Sequence, residues 1–288
     1  MTDKHDPYKA KDTGHVWDDD IRELDNPPPR WWILGIHLSW ISILVYCILY
    51  PSIPLINDST KGILGWTQIK EFKSKVAEVE AIRKPYNDKI AAMTAEEVLK
   101  DAELLNFAQI SSRVVFGDFC APCHGAGGQG GKNYPVLADD DWLYGGSLEA
   151  ITKSITNGRI GDMPGHSEML TEQEINDVVK YVAGLSTGQV HEAGKAVYMG
   201  KSENREARCY TCHGRDGKGK QSKGAPDLTD AIWRFDGSEA GIKHTIVHGV
   251  NYGGPPTRKA KMPAFNRKLS EIQIKKLALM VYQFSGGQ

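Results

Sequence analysis

The sequence has almost no charge imbalance, no surplus of cysteine and only one long uncharged stretch. A net charge of −1 over 288 residues offers no basic face to a polyanion, so nucleic acid is not an expected partner. Five cysteines are present. Four fall in two short motifs and only Cys47 is left over, an apolar filler, so there is no disulfide framework to read. The glycine-rich runs 125–131 and 214–219 lack the strand, the Lys and the Ser/Thr of a phosphate-binding loop. They read as backbone that can pass close to a bound group. Residues 1–30 lack apolar periodicity, carry five Lys/Arg against eight Asp/Glu, and close on Pro27-Pro28-Pro29-Arg30. That composition predicts a poorly ordered polar tail in which His5 and His15 are solvated.

The cysteines that are present stand in Cys120-Ala121-Pro122-Cys123-His124 and Cys209-Tyr210-Thr211-Cys212-His213. Both are C-x-x-C-H, the attachment pattern of c-type haem. Two thiols at this spacing can each form a thioether to one haem vinyl group, and the adjoining His is then held beneath the iron. A redox dithiol has no need of a His after the second Cys in both copies. A four-Cys zinc site fits poorly, since 85 residues separate the two pairs. Two covalently bound haem c groups are therefore expected.

Trp31–Asn57 contains no charged residue, and Trp31–Tyr50 would make about 30 Å of helix, the hydrocarbon thickness of a bilayer. Trp31, Trp32, Tyr46 and Tyr50 sit near its ends, and Pro51 and Pro54 stop it. The run is too long for a signal peptide, follows an acidic segment and has no small-residue cleavage site, so a single uncleaved anchor is predicted. Lys/Arg counts on its two sides do not orient it. Attachment of c-type haem takes place outside the cytoplasmic membrane. The C-terminal part is therefore expected on the periplasmic side of a bacterial inner membrane and the tail in the cytoplasm. His37, inside the span, is expected to hydrogen-bond a neighbouring helix or a headgroup.

Beyond the anchor, 57–110 reads as a periplasmic linker with helical segments, opened by the capping box Thr94-x-x-Glu97. The chain then repeats. Leu137, Trp142 and Ile155-x-x-Gly158 recur as Leu228, Trp233 and Ile246-x-x-Gly249, offset by 91. Met163-Pro164 and Leu170-Thr171 recur as Met262-Pro263 and Leu269-Ser270, offset by 99. The extra eight residues fall around Asn251–Pro256, a loop composition, and further residues are added around Met199–Arg208. Each copy ends in a capped amphipathic helix, with Ile175, Val178, Val179 and Val182 in one and Ile274, Leu277, Ala278 and Val281 in the other. The fold expected is mainly α: a tail (1–30), one transmembrane helix (31–56), the linker (57–110), and two tandem cytochrome c-type helical domains, 111–187 and 188–288.

His124 and His213 are the expected proximal iron ligands. The distal ligands are expected 39 and 49 residues later in the respective copies, at Met163 and Met262. These are the only methionines at matching positions, and each is followed by a stiffening Pro. Met/His ligation raises the potential and leaves no open position, which suits electron transfer. His166, Met169, His244 and His248 are the competing ligands. Arg159 is either a partner for a haem propionate or a solvated side chain.

With these residues assembled, the chain resembles the dihaem, membrane-anchored cytochrome c subunit (subunit III) of cbb3-type cytochrome c oxidases. The likeness is carried by Asp25-Asn26-Pro27-x-x-Arg30-Trp31-Trp32, Gly62-x-Leu64-Gly65-Trp66, Phe116-Gly117-Asp118-x-Cys120, Leu137–Gly146 and Ala225-Pro226-Asp227-Leu228-Thr229-Asp230. It implies a haem-copper terminal oxidase of bacterial respiration, with a catalytic subunit carrying b-type haems and copper and a monohaem cytochrome c subunit between. By that resemblance the chain takes electrons from a soluble or membrane-bound donor cytochrome c, passes them inward and does not itself bind oxygen. A dihaem peroxidase would need a displaceable sixth ligand, which two Met-Pro loops argue against. The cytochrome subunit of a membrane dehydrogenase would use the same redox modules.

Overall fold

The computed structural model describes residues 11–25, 27–202, 207–230 and 232–284. His5, Asn26 and the middle of the Met199–Arg208 insertion lie outside these. The chain divides into two compact units, Met1–Ile82 and Arg83–Gln288.

In the first unit the tail forms a hairpin where poor order was expected. Strands β1 (Lys11–Trp17) and β2 (Ile21–Asp25) pair antiparallel, with Trp17 opposite Ile21. The turn is made by Asp18 and Asp19, both at positive φ. Asp tolerates that region because its short side chain can bond locally, and as a bare acidic run the turn does not stand out. Helix α1 (Arg30–Leu49) follows the prolines. An 18-residue window of it has mean hydropathy 2.0, and none of its residues is buried. Apolar side chains exposed all round a helix are unfavourable in water and fit a membrane span. His37 donates from Nδ1 to the Ile33 carbonyl at 2.7 Å, so its partner lies in its own helix. After α1 the chain turns back over the helix end, where the N–H groups of Ile63 and Leu64 satisfy the Ile48 and Leu49 carbonyls. Gly62, at φ +64, is required there, because a Cβ would meet the Leu49 carbonyl. Helix α2 (Gln68–Ala92) begins in this unit.

The second unit is helical. The Thr94–Glu97 capping box opens α3 (Ala95–Lys100) as expected. Asp101 then ends α3 and caps α4 (Ala102–Phe119), its Oδ1 accepting from Glu103 N and Leu104 N. The segment expected as a linker thus runs into a helix that crosses residue 111. Its side chains join a core of Ile90, Val98, Leu104, Ala108, Leu148 and Leu279. The remaining helices are α5 (Ala121–His124), α6 (Leu148–Asn157), α7 (Glu172–Leu185), α8 (Glu192–Tyr198), α9 (Tyr210–His213), α10 (Glu239–His248) and α11 (Glu271–Tyr282). Strands β3 (Arg159–Ile160) and β4 (Lys261–Met262) pair antiparallel. The capping boxes at Thr171/Glu174 and Ser270/Gln273 form as predicted.

The packing does not follow the two sequence copies. Phe116 of α4 and Ile151 and Ile155 of α6 share a core with Phe265, Leu269 and the inner face of α11. Tyr198 of α8 and Ile242 and Ile246 of α10 share the other core with Leu170 and the inner face of α7. Each core therefore takes its closing helix from the opposite copy. The division expected at 187/188 falls between α7 and α8, which pack so closely that a Cβ at Gly194 would run into the Asp177 carbonyl. The sequence units 111–187 and 188–288 are thus not the packed bodies. One body is continuous, about 161–250, and interrupts the other. The repeat is compatible with either arrangement, because an exchanged helix presents the same apolar stripe to an equivalent neighbour.

Candidate haem sites

Each motif folds as one helical turn. Cys120 ends α4, and α5 carries the second Cys and the His, with His124 N bonded to Cys120 O at 2.9 Å. In α9 the His213 N bonds Cys209 O at the same distance. A glycine at positive φ follows each His, Gly125 (φ 77) and Gly214 (φ 78). It stops the turn in a conformation that L side chains rarely adopt.

The glycine-rich stretch after each motif bends the chain back beneath the imidazole. Leu137 N reaches Gly128 O and Leu228 N reaches Gly217 O, at 2.6 and 2.7 Å. The return brings a proline carbonyl to each ring. His124 Nδ1 donates to Pro135 O at 3.0 Å, and His213 Nδ1 donates to Pro226 O at 3.2 Å. A carbonyl only accepts, so the proton is fixed on Nδ1 and the Nε2 lone pair is left for a metal. Burial holds both imidazoles below their ordinary pKa, which favours the neutral, ligating form. Proline carbonyls serve this purpose in both copies, a role that Pro135 and Pro226 do not advertise in the sequence.

No two of the five cysteines are joined in a disulfide. Burial pushes Cys120 and Cys209 up to about 11, so in the haem-free chain they are neutral thiols and poor nucleophiles. Cys120 and Cys209 border different cores. Among the described residues no three His, Cys, Asp or Glu side chains converge as a metal site. The geometry therefore gives the zinc reading no support.

The surrounding residues fit a haem. Trp142 and Trp233 lie over Gly146 and Gly237, where any Cβ would strike the indole. The buried Trp142 Nε1 has no hydrogen-bond partner, an unmet donor that a propionate would satisfy. Tyr198 Oη donates to the Gly214 carbonyl at 2.7 Å and braces the second motif.

Arg159 is neither solvated nor left loose. Its guanidinium lies 4.3 Å from the Tyr144 ring centroid, donates to Ser154 Oγ at 2.9 Å and reaches the Ala150 carbonyl at 3.5 Å. Arg258 repeats this with Phe235, Thr245 Oγ1 and the Gly241 carbonyl. The two arginines are matching clamps on α6 and α10. Sequence reasoning missed Arg258 although it stands 99 residues after Arg159, the same offset as the two Met-Pro pairs.

Met262 packs against the same core as Cys120, Leu137 and Trp142, while Met163 packs against the same core as Cys209, Leu228 and Trp233. Each methionine therefore borders a core that the first cysteine of a C-x-x-C-H motif also borders. The competitors are placed differently. His166 is buried beside the second-motif core, with Nδ1 unpartnered and its backbone N bonded to Ile246 O. His244 and His248 lie one turn apart on α10 with their rings tilted at 58°, 4.7 Å between centroids.

Residues 9–57 match the family described as the N-terminal domain of cytochrome oxidase-cbb3, FixP. Residues 111–182 match cytochrome c oxidase, cbb3-type, subunit III, and 191–280 match cytochrome c. The cbb3-type cytochrome c oxidase subunit FixP of Azorhizobium caulinodans is 40% identical over 284 residues, covering 96% of this chain and 93% of the relative. FixPc of Rhizobium leguminosarum bv. viciae is 38% identical, with both chains fully covered. CcoP of Azospirillum sp. (strain B510) is 39% identical over 96% of this chain and 95% of its own. A chain with an apolar N-terminal anchor helix and two haem-binding cytochrome c regions, related to these proteins over its whole length, belongs to the FixP/CcoP subunit family of the cbb3-type cytochrome c oxidases.

Proposed function

We propose that this electron-transfer subunit carries two haem c groups, each bound covalently, through Cys120 and Cys123 and through Cys209 and Cys212. His124 and His213 are the proximal iron ligands, and Met163 and Met262 the distal ones. The observation that carries this reading is the duplicated proximal site, in which a one-turn C-x-x-C-H helix and a proline carbonyl fix the imidazole proton on Nδ1. When bound, haem c supplies a one-electron iron centre. The chain's own residues do the rest. Pro135 and Pro226 orient the imidazoles, the two apolar cores exclude water, and the Met163 and Met262 side chains would deny oxygen or peroxide a place on the iron.

In this reading the subunit accepts electrons from a soluble or membrane-bound donor cytochrome c. It relays them, through the monohaem cytochrome c subunit, to the catalytic core of the oxidase. The single helix α1 anchors it in the bacterial cytoplasmic membrane, with residues 1–30 in the cytoplasm and the haem sites in the periplasm. Two measurements on the intact oxidase test this. Anaerobic rapid mixing with reduced donor cytochrome c should reduce c-type haem before b-type haem. Protease added outside spheroplasts should remove the haem-bearing part while sparing an N-terminal tag. Reduction of b-type haem first would overturn the relay, and a protected haem region would overturn the orientation.

A further inference from the structure

We propose that the hairpin β1–β2 is a docking element whose partner is a Lys/Arg-rich cytoplasmic loop of a membrane-embedded subunit of the oxidase. The proposal rests on the placement of residues 1–30 in the cytoplasm given above.

Three observations carry it. The first is uncovered apolar surface. Trp17 pairs with Ile21 across the strands, and Val16 lies opposite Arg22. Side chains alternate along a strand, so Leu24 shares the face of Val16 and Arg22. Trp17, Ile21, Val16 and Leu24 are 62, 58, 48 and 53% exposed, and apolar groups therefore face solvent on both sides. Among the described residues this sheet has two strands and no third. A lone two-stranded hairpin is marginally stable in water at best. A large aromatic side chain in solvent beside open strand edges is the anatomy of an interface.

The second is position. Asp25 and Arg30, the first residue of α1, are five Cα steps apart, which span at most about 18 Å. Pro27, Pro28 and Pro29 lie between them, and Pro29 is extended at φ −55 and ψ 142. A stiff connection of that length holds the hairpin at the membrane surface.

The third is charge. Residues 13–25 carry Asp18, Asp19, Asp20, Glu23 and Asp25 against one basic residue, Arg22. An anionic leaflet repels such a surface, so the lipid is not the occupant. Cytoplasmic loops of membrane-spanning proteins carry an excess of Lys and Arg. They present the complementary charge at the same level of the membrane. Trp17 then serves as the apolar anchor, and the Asp18–Asp20 turn beside it meets the surrounding cations.

The test uses the intact oxidase in native membranes, treated with a carbodiimide that joins a carboxylate to a lysine amine in contact with it. Peptide mass spectrometry should find amide links from Asp18, Asp19, Asp20 or Glu23 to lysines in a cytoplasmic loop of another oxidase subunit. Trp17→Ala should lower their yield about tenfold or more, as loss of an aromatic anchor does. Asp18→Asn/Asp19→Asn keeps the turn, since Asn also tolerates positive φ, yet links through Glu23 should fall severalfold. Links confined to this chain or to amino-lipid headgroups, or a yield unchanged in Trp17→Ala, would overturn the docking. Links to a periplasmic segment would overturn the orientation as well. The protease test of orientation is independent, so a protected N-terminal tag without links to another subunit overturns the docking alone.

Discussion

Replacing Met163 and Met262 together by Leu should leave both haems attached and lower both reduction potentials by on the order of 0.1 V. Axial ligands set haem potentials over a range of about 0.8 V, so this is a moderate share of what ligand exchange can do. The sign follows from the ligand. A neutral, soft thioether favours the reduced iron, and its loss removes that preference. For a one-electron couple about 59 mV is tenfold, so a 0.1 V fall changes electron-transfer equilibria by roughly fifty-fold. Redox titration of the purified subunit reads this directly, and unchanged potentials would contradict the assignment of either methionine. The apolar surroundings of both positions accept Leu at nearly the same volume, which keeps the stability loss small, below about 1.5 kcal/mol.

A second large effect is expected at the crossing, where the two copies exchange their closing helices. Gly158→Ala and Gly249→Ala each force an L residue to φ +69 with ψ near 180°, a region that is essentially glycine's alone and costs about 1–3 kcal/mol. Each also drives a methyl group into a backbone carbonyl, which cannot move aside as a flexible side chain would. A combined loss of about 3 kcal/mol or more is expected, together with loss of Met ligation at one haem. Gly188→Ala is the control. It also sits at positive φ, but a Cβ there would meet nothing, so about 1 kcal/mol is expected. Thermal unfolding and near-infrared spectra compare the three. Equal stability of Gly158→Ala and Gly188→Ala would contradict the close crossing.

What could be read in the sequence was local or periodic. The C-x-x-C-H turns, the three capping boxes, the uncharged helix and the stripes of α7 and α11 are each set by residues within one or two turns of each other. The family was legible for the same reason, because its blocks are short runs of consecutive residues. The crossing is a different kind of fact. Ile155-x-x-Gly158 and Ile246-x-x-Gly249 were visible as a repeat, but a repeat cannot say whether the chain after each glycine closes its own core or its neighbour's.

Other misses have equally specific causes. The Asp18–Asp20 run hid a hairpin turn because its negative charges dominate the composition. Asp101 hid a helix boundary by capping a second helix inside what read as one apolar segment. Arg258 lies in the same 99-residue register as the Met-Pro pairs, but the insertion before it separates it from the 91-residue repeat that holds its helix. The proximal acceptors Pro135 and Pro226 act through backbone carbonyls, which no side-chain pattern reveals. The two glycines that recur in the repeat, Gly158 and Gly249, were the one signal that could have raised the crossing, since a close approach of backbone is one reason to require them.

The central claim is that this chain is the dihaem electron-transfer subunit of a cbb3-type oxidase. The most direct test is mild-detergent purification of the tagged chain from native membranes, with optical spectra, metal analysis and oxygen uptake measured on the eluate. The account predicts two c-type haems per chain co-eluting with b-type haem, copper and cytochrome-c-driven oxygen consumption. Elution with c-type haem alone, or with a dehydrogenase activity in place of oxygen uptake, would contradict it.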